Sequence, residues 1–404
     1  MIEMREAIDR VLASTKPIDC TQVSLMDALG HTLSEDVVSD INMPPFEKAT
    51  MDGYAVVGAD VSGASAENPV ALNVIEEVQA GVVPQKTVVS GQATQIMTGA
   101  PMPDGADTVV MVEETERVDG VVSILDSVSP GTNRVPLGED VRKGQVVLKA
   151  RTALRPPEIG ILGAVGFDTV PVYRRPVVGV VATGDEIVEP HVRPEPGQIR
   201  NSNGYSMATQ VVRAGATPRY LGIATDDVED LRRVMTEGIE ECDVLLLSGG
   251  VSAGVYDLVQ GVMTELGVEV RFDRIRMKPG KPLTFGVRGQ KLIFGLPGNP
   301  VSSVVGLELL VRPALKKMQG LDDLHRPRVR ATLDEPFRQA PGREQYVPAA
   351  SRFEKGQWRT CWVGHHGSAD LFSMWEANSL FVVDAEATSV DAGEEVDLVL
   401  LTDW

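Results

Sequence analysis

A chain of 404 residues exceeds what one ordinary hydrophobic core serves, so two to four domains are expected. Its 43% apolar and 24% charged content is that of a globular protein and excludes a disordered chain. With 38 basic against 57 acidic residues the formal charge is −19, which repels nucleic-acid phosphates and anionic membranes, so neither is an expected partner. Cys20, Cys242 and Cys361 are far apart and show no Cys-x-x-Cys spacing, which argues against a disulfide framework or a zinc site and for a reducing compartment. The amino terminus lacks the pattern of a secretory leader and no apolar run approaches 18 residues, so a soluble cytoplasmic protein is expected.

Taken in order, Ile2, Ala7, Val11 and Leu12 stand at helical spacing, and Leu25, Ala28 and Leu29 repeat it, so two short amphipathic helices are predicted before Pro44-Pro45. From Thr50 to Pro136 the chain changes to short β-branched runs at 70–75, 87–89, 108–112 and 121–124, separated by Gly, Pro and Asp-Gly turns, which read as a small β domain. Within it Asp52-Gly53 reads as a type I′ hairpin turn, and Thr98-Gly99 as a loop after a strand. Residues 137–175 carry a turn carboxylate in Gly138-Glu139-Asp140, a strand at 145–148 and a helix across Ile159, Leu162, Gly163 and Gly166. β runs on both sides of the middle block mark it as an insertion. The expected domains are 1–44 with 137–175, 45–136, 176–320 and 321–404.

From 176 to 320 the rhythm is β-α-β-α. Val177–Ala182 is a continuous apolar run, as expected for a strand covered on both faces, and it ends at Thr183-Gly184-Asp185-Glu186. A helical stripe of Tyr205, Ala208, Val211 and Val212 follows, then a strand at 219–224 ending at Thr225-Asp226-Asp227. A helix through Val228, Leu231, Met235 and Ile239 leads to a strand at 243–247 that stops at Ser248-Gly249-Gly250. A further helix runs through Tyr256, Val259, Val262, Met263 and Leu266, and a last strand at 291–294 breaks at Gly295-Leu296-Pro297-Gly298-Asn299-Pro300 before a helix. Ligands of open parallel sheets bind outside the carboxyl ends of the strands. Here that rim gathers glycine backbone, which lets N–H groups approach closely, and carboxylates, a mixture suited to a phosphate with a divalent cation. Between 271 and 291 seven basic residues, Lys278 and Lys281 of Lys-Pro-Gly-Lys-Pro among them, face one acid, Asp273, which points to a small anionic ligand. The C-terminal stretch holds β runs at 329–333, 357–363, 379–383 and 396–401, with Pro341-Gly342-Arg343 and Gly364-His365-His366-Gly367-Ser368 between them, and reads as a small all-β domain.

Gly250-Val251-Ser252-Ala253-Gly254 matches the nucleophile elbow of serine hydrolases, with His325, His365 and His366 as partners, but no oxyanion loop precedes it. There is no phosphate-binding P-loop and no dinucleotide fingerprint.

The seven motifs Met51-Asp52-Gly53-Tyr54-Ala55, Ile96-Met97-Thr98-Gly99-Ala100, Gly138-Glu139-Asp140, Thr183-Gly184-Asp185-Glu186, Ser248-Gly249-Gly250-Val251-Ser252, Lys278-Pro279-Gly280-Lys281-Pro282 and Gly295–Ser302 stand in register. Together they resemble the molybdenum insertases, the family of MoeA and the gephyrin E domain, over nearly the whole chain. The resemblance implies an α/β multidomain protein. Its parts would be a three-layer, mostly parallel domain like the molybdopterin adenylyltransferases, an inserted β domain, a linking α+β domain and a C-terminal β-barrel-like domain. It implies a homodimeric transferase that inserts molybdate into adenylylated molybdopterin with Mg²⁺ and releases AMP. Transient contacts with a molybdopterin adenylyltransferase and with apo-molybdoenzymes are implied as well. By motif, Asp52, Thr98, Asp140, Glu186, Asp227 (or its neighbour Asp226) and Asp257 resemble the functional polar residues, with Glu186, Asp227 and Asp257 as metal ligands. Ser248, Gly249, Gly250, Ser252, Lys278, Lys281, Pro297, Gly298, Asn299, Pro300 and Ser302 resemble the residues around pterin phosphate and molybdate, and Arg343 and Ser368 the oxyanion contacts. A pterin carrier or scaffold without turnover is the alternative, and a hydrolase using Ser252 a more remote one.

Overall fold

The computed structural model describes residues 1–249, 256–364 and 367–402, apart from the side chains of Tyr256 and Asp257. The chain divides into two compact units, one of residues 1–34, 151–155 and 170–404, the other of 35–150 and 156–169.

The first unit is built on a six-stranded sheet in the order Thr217–Ala224, Val177–Thr183, Val244–Ser248, Lys291–Leu296, Thr284–Arg288, Glu269–Phe272. The first four strands are parallel, and the last two add an antiparallel edge. Successive side chains of a strand alternate between faces. Val244 and Leu246 accordingly enter one core with Val178 and Val180, whereas Leu245 and Leu247 enter the opposite core with Val181. Helices Met4–Ser14 and Asn203–Arg213 cover the first face, with the run that begins at Pro300–Gly306; Val228–Glu241 and Tyr256–Glu265 cover the second. This is the expected three-layer arrangement. The helix at 203–213 buries Met207 and Val211, while Tyr205 and Val212 of the predicted stripe are exposed, so the stripe is displaced around the helix.

In the same unit Glu344–Glu354 is bonded on both sides, to Gln357–Trp362 and to Ser379–Val383. With Arg328–Leu333 and Glu395–Leu400 these strands close into a 5-strand barrel. Phe337 stands edge-on to Phe381 at 5.3 Å between ring centroids, within the barrel core around Leu333, Val347 and Leu398. The two-residue strand Met277–Lys278 pairs in parallel with Glu344 and Gln345, so the lysine loop starts beside the first residues of the barrel's longest strand.

The second unit centres on a six-stranded sheet in the order Thr108–Met111, Gly53–Val56, Gln92–Ile96, Val70–Val78, Val121–Ile124, Thr115–Val118. Three local expectations are corrected. Leu25–Ala28 is a single 3-10 turn in which Ser24 caps Asp27, because four residues cannot complete an amphipathic α-helix. Residues 87–89 form a loop; its Val88 amide donates to the Asp104 carbonyl at 2.8 Å and its side chain is buried. Asp52-Gly53 is no type I′ turn, since Gly53 does not take positive φ. It opens a strand where a Cβ would collide with the Val110 carbonyl, so glycine is required by the close approach of neighbouring backbone.

Candidate active site

The four parallel strands of the first unit end at Thr183, Ala224, Ser248 and Leu296, and the loops after Thr183, Ser248 and Leu296, with residues 199–203, Pro282, Ala369, Leu371 and Phe372, line a cavity of about 750 Å³. Two glycines permit the tight junction. Gly249 has φ +105°, with the Thr183 carbonyl where a Cβ would lie, and its N–H donates to the Leu296 carbonyl at 3.3 Å. Gly184 has φ +139°, and the Glu186 carboxylate occupies the space of its missing side chain. Both are backbone shapes that glycine alone tolerates.

The cavity wall includes Glu186, Ser248, Gly249, Pro297, Gly298, Asn299 and Pro300 of the expected site residues. Asn203, which sequence reasoning missed, ties two of these loops together: its amide nitrogen donates to Ser248 Oγ and to the Gly298 carbonyl, each at 2.7 Å. Asn299 donates to Ser368 Oγ at 2.8 Å, and the Val301 N–H donates to the Ser368 carbonyl at 3.1 Å, so Ser368 is joined to the proline-flanked turn. That second bond uses a first-turn amide, and Pro300 has none, so the helix start offers an anion less than its position suggests. Arg200 is the one cation among the described lining residues and was also missed; its Nε donates to the Val192 carbonyl at 3.1 Å.

Lys278 and Lys281 are exposed, have no side-chain partner among the described residues, and do not themselves line the cavity. Their loop reaches it through Pro282, and Gly280 packs within 3.8 Å of the Ser302 carbonyl, measured to an ideal Cβ. Ser302 is buried in the helix beyond. In the parallel pairing Lys278 faces Gln345, and Arg343 stands in the bend just before that strand. The rest of the basic island is largely neutralised: Arg271 pairs with Glu269, Arg274 with Asp273, Arg276 with Glu3 and Glu386, and Lys291 donates to the Cys242 carbonyl.

The carboxylates separate by task. Asp227 caps helix Val228–Glu241, its Oδ1 accepting from the Glu229 and Asp230 amides at 2.9 and 3.1 Å. Asp226 beside it has a buried Oδ1 with no hydrogen-bond partner among the described residues. Burial, then the neighbouring charges of Asp185 and Glu186, push its carboxyl above the usual range, against the opposing effect of the Asp185 backbone N–H. Thr183 Oγ1, on the cavity wall, is also buried with no partner among the described residues. Among the described residues no three His, Cys, Asp or Glu side chains form a ready metal cage. Gly250, Ser252, His365, His366 and the side chain of Asp257 lie outside the described residues.

In the other unit Asp52 Oδ1 accepts from the Thr98 N–H at 2.7 Å and from Thr98 Oγ1 at 2.8 Å, and these bonds hold its carboxyl below the usual range. Asp140 is exposed on the turn whose N–H donates to the Met43 carbonyl.

No helix among the described residues is long and apolar enough to cross a membrane. Family profiles match three stretches: the MoeA N-terminal region (domain I and II) over residues 2–166, a probable molybdopterin binding domain over 179–317 and the MoeA C-terminal region (domain IV) over 330–401. A molybdopterin molybdenumtransferase of Bacillus subtilis (strain 168) is 34% identical over 404 residues, which cover 99% of this chain and 94% of that protein. One from Staphylococcus epidermidis is 32% identical over 399 residues, covering 99% and 95%. Among solved structures, the molybdopterin biosynthesis MoeA protein from Pyrococcus horikoshii superposes with a TM-score of 0.87 at 33% identity, over 100% of both chains. The chain therefore belongs to the molybdopterin molybdenumtransferase (MoeA) family, transferases of molybdenum cofactor biosynthesis.

Proposed function

We propose that the rim cavity takes adenylylated molybdopterin and molybdate, that an oxygen of water or molybdate attacks the pyrophosphate link so that AMP and the pterin phosphate separate, and that molybdenum enters the dithiolene pterin. The observation that carries this reading is the polar make-up of the strand ends. Glycine backbone, Asn203 and Arg200 surround the cavity, while Thr183 Oγ1 on its wall, and Asp226 Oδ1 in the loop after the neighbouring strand, have no hydrogen-bond partner among the described residues. A buried polar atom without a partner costs on the order of 1–3 kcal/mol, which a bound polar ligand would recover.

The donor set fits one hard divalent cation. Mg²⁺ keeps several waters and takes one or two carboxylates plus phosphate oxygens, so Glu186 and Asp226 suffice without a protein cage, with Asp257 and Asp227 as further ligands by resemblance. Bound there, the ion would polarise the phosphate oxygens. Within the chain, Asn203 holds the Ser248 and Gly298 loops at fixed separation, and Arg200, Lys278, Lys281 and Arg343 supply positive charge for two anions, phosphate and molybdate. Gly250, Ser252, Ser302 and Ser368 complete the anion contacts in this reading, and Asp52, Thr98 and Asp140 serve the same reaction in a homodimer. The four-domain division at 1–44 with 137–175, 45–136, 176–320 and 321–404 belongs to the same proposal. The full-length protein, incubated with adenylylated molybdopterin, should release AMP in a Mg²⁺-dependent manner that increases with molybdate. No AMP release from the folded protein would remove the proposal.

A further inference from the structure

The 3-10 helix Leu371–Trp375 presents two large aromatics almost wholly to solvent, Phe372 at 89% and Trp375 at 91% exposure. Residues i and i+3 of a 3-10 helix eclipse one another, so the two rings share one face. This turn is anchored rather than loose: Ser373 is buried and its Oγ donates to the Asp370 carbonyl at 2.7 Å, and Met374 packs against the main core. It follows Ser368, which is hydrogen-bonded to Asn299 and Val301 of the proline-flanked turn. Ala369, Leu371 and Phe372 line the same cavity as Gly249 and Gly298. An aromatic face fixed beside an anion site is the pattern that holds a ligand with a charged end and a planar end.

We propose that Phe372 and Trp375 form a stacking subsite for the planar heteroaromatic ring of the phosphorylated ligand. The inference rests on the cavity being the substrate site. Two rings of the proposed substrate share this chemistry, the pterin and the adenine, and the test separates them.

Affinities of the purified full-length protein are measured for three probes: a pterin carrying a phosphate ester, AMP, and inorganic phosphate. Phe372→Ala and Trp375→Ala should each weaken one ring-bearing probe roughly tenfold while leaving inorganic phosphate unchanged, and Phe372→Tyr should restore binding. The probe that weakens identifies the ring. Equal loss for inorganic phosphate, or no loss for either ring, overturns the subsite while leaving the site reading intact. If the wild type binds none of the three, both fall. Unchanged ring binding together with lost capture of an apo-molybdoenzyme would instead give the aromatics to a protein partner and overturn the proposal.

Discussion

Asp226 and Asp52 both occupy turns next to strand termini, one in each unit, yet their surroundings are opposite. Asp52 receives two hydrogen bonds from Thr98, which favour its charged form. Asp226 is partly buried beside Asp185 and Glu186, has an oxygen with no partner among the described residues, and is pushed toward its neutral form. A carboxylate satisfied within its own chain fastens two turns. One kept unsatisfied among like charges holds a proton more tightly, and a cation bound beside it would relieve the same cost.

The largest effect that would break this contrast is on turnover. Asp226→Asn should lower AMP release by about 100-fold or more, the scale of losing one preorganised electrostatic partner, without lowering the melting temperature of the ligand-free protein. Activity near that of the wild type would show that the unsatisfied oxygen has no ligand. Next is Gly249→Ala, which forces positive φ on alanine and a collision with the Thr183 carbonyl; a loss of roughly 1–3 kcal/mol in denaturant unfolding is expected, together with loss of phosphate binding. Gly298→Ala, whose added carbon would lie 3.4 Å from Gly249 Cα, should be tolerated in folding, and any loss of ligand binding would report backbone approach. Lys278→Ala and Lys281→Ala should each weaken molybdate about tenfold in titration calorimetry, as removal of a charge-assisted hydrogen bond does, with unfolding unchanged. Unaltered affinity would assign the lysines to solvent.

The smallest effects sharpen the comparison through pH. The Asp52 carboxyl is lowered by folding, so its contribution is present above the ordinary carboxylate range and disappears as pH falls through the lowered value. The Asp226 carboxyl is raised, so stability declines as pH rises from the ordinary range through the raised value. In melting curves, Asp52→Asn should fall below the wild type at neutral pH and converge with it in acid. Asp226→Asn should lie above the wild type at neutral pH and also converge in acid. Millimolar Mg²⁺ should raise the wild-type midpoint at neutral pH and leave Asp226→Asn unmoved; equal shifts would place the ion elsewhere.

Much of the rim was legible in the sequence because a parallel strand buried on both faces reads as an unbroken apolar run, and its end is marked where glycine appears, as at Thr183-Gly184 and Ser248-Gly249. The antiparallel edge escaped notice because Arg271 and Arg288 dilute its strands, and Glu344–Glu354 because Pro348 interrupts its pattern. Asn203 and Arg200 were hidden for a different reason. Arg200 lies in a stretch that holds only two-residue strands, Ile187–Val188 and Ile199–Arg200, so no period announces it, and Asn203 stands at the very start of its helix with partners far along the chain at Ser248 and Gly298. The division of labour between Asp226 and Asp227 was equally invisible, since adjacent aspartates differ only in what the fold places around them.

The most direct measurement is anomalous scattering at the molybdenum edge from crystals soaked in molybdate. The account predicts a peak between the Lys278–Lys281 loop and the Pro297–Pro300 turn, at the mouth of the cavity bordered by Asn203 and Gly249. Ordered molybdate bound elsewhere, with that cavity holding only water, would contradict it.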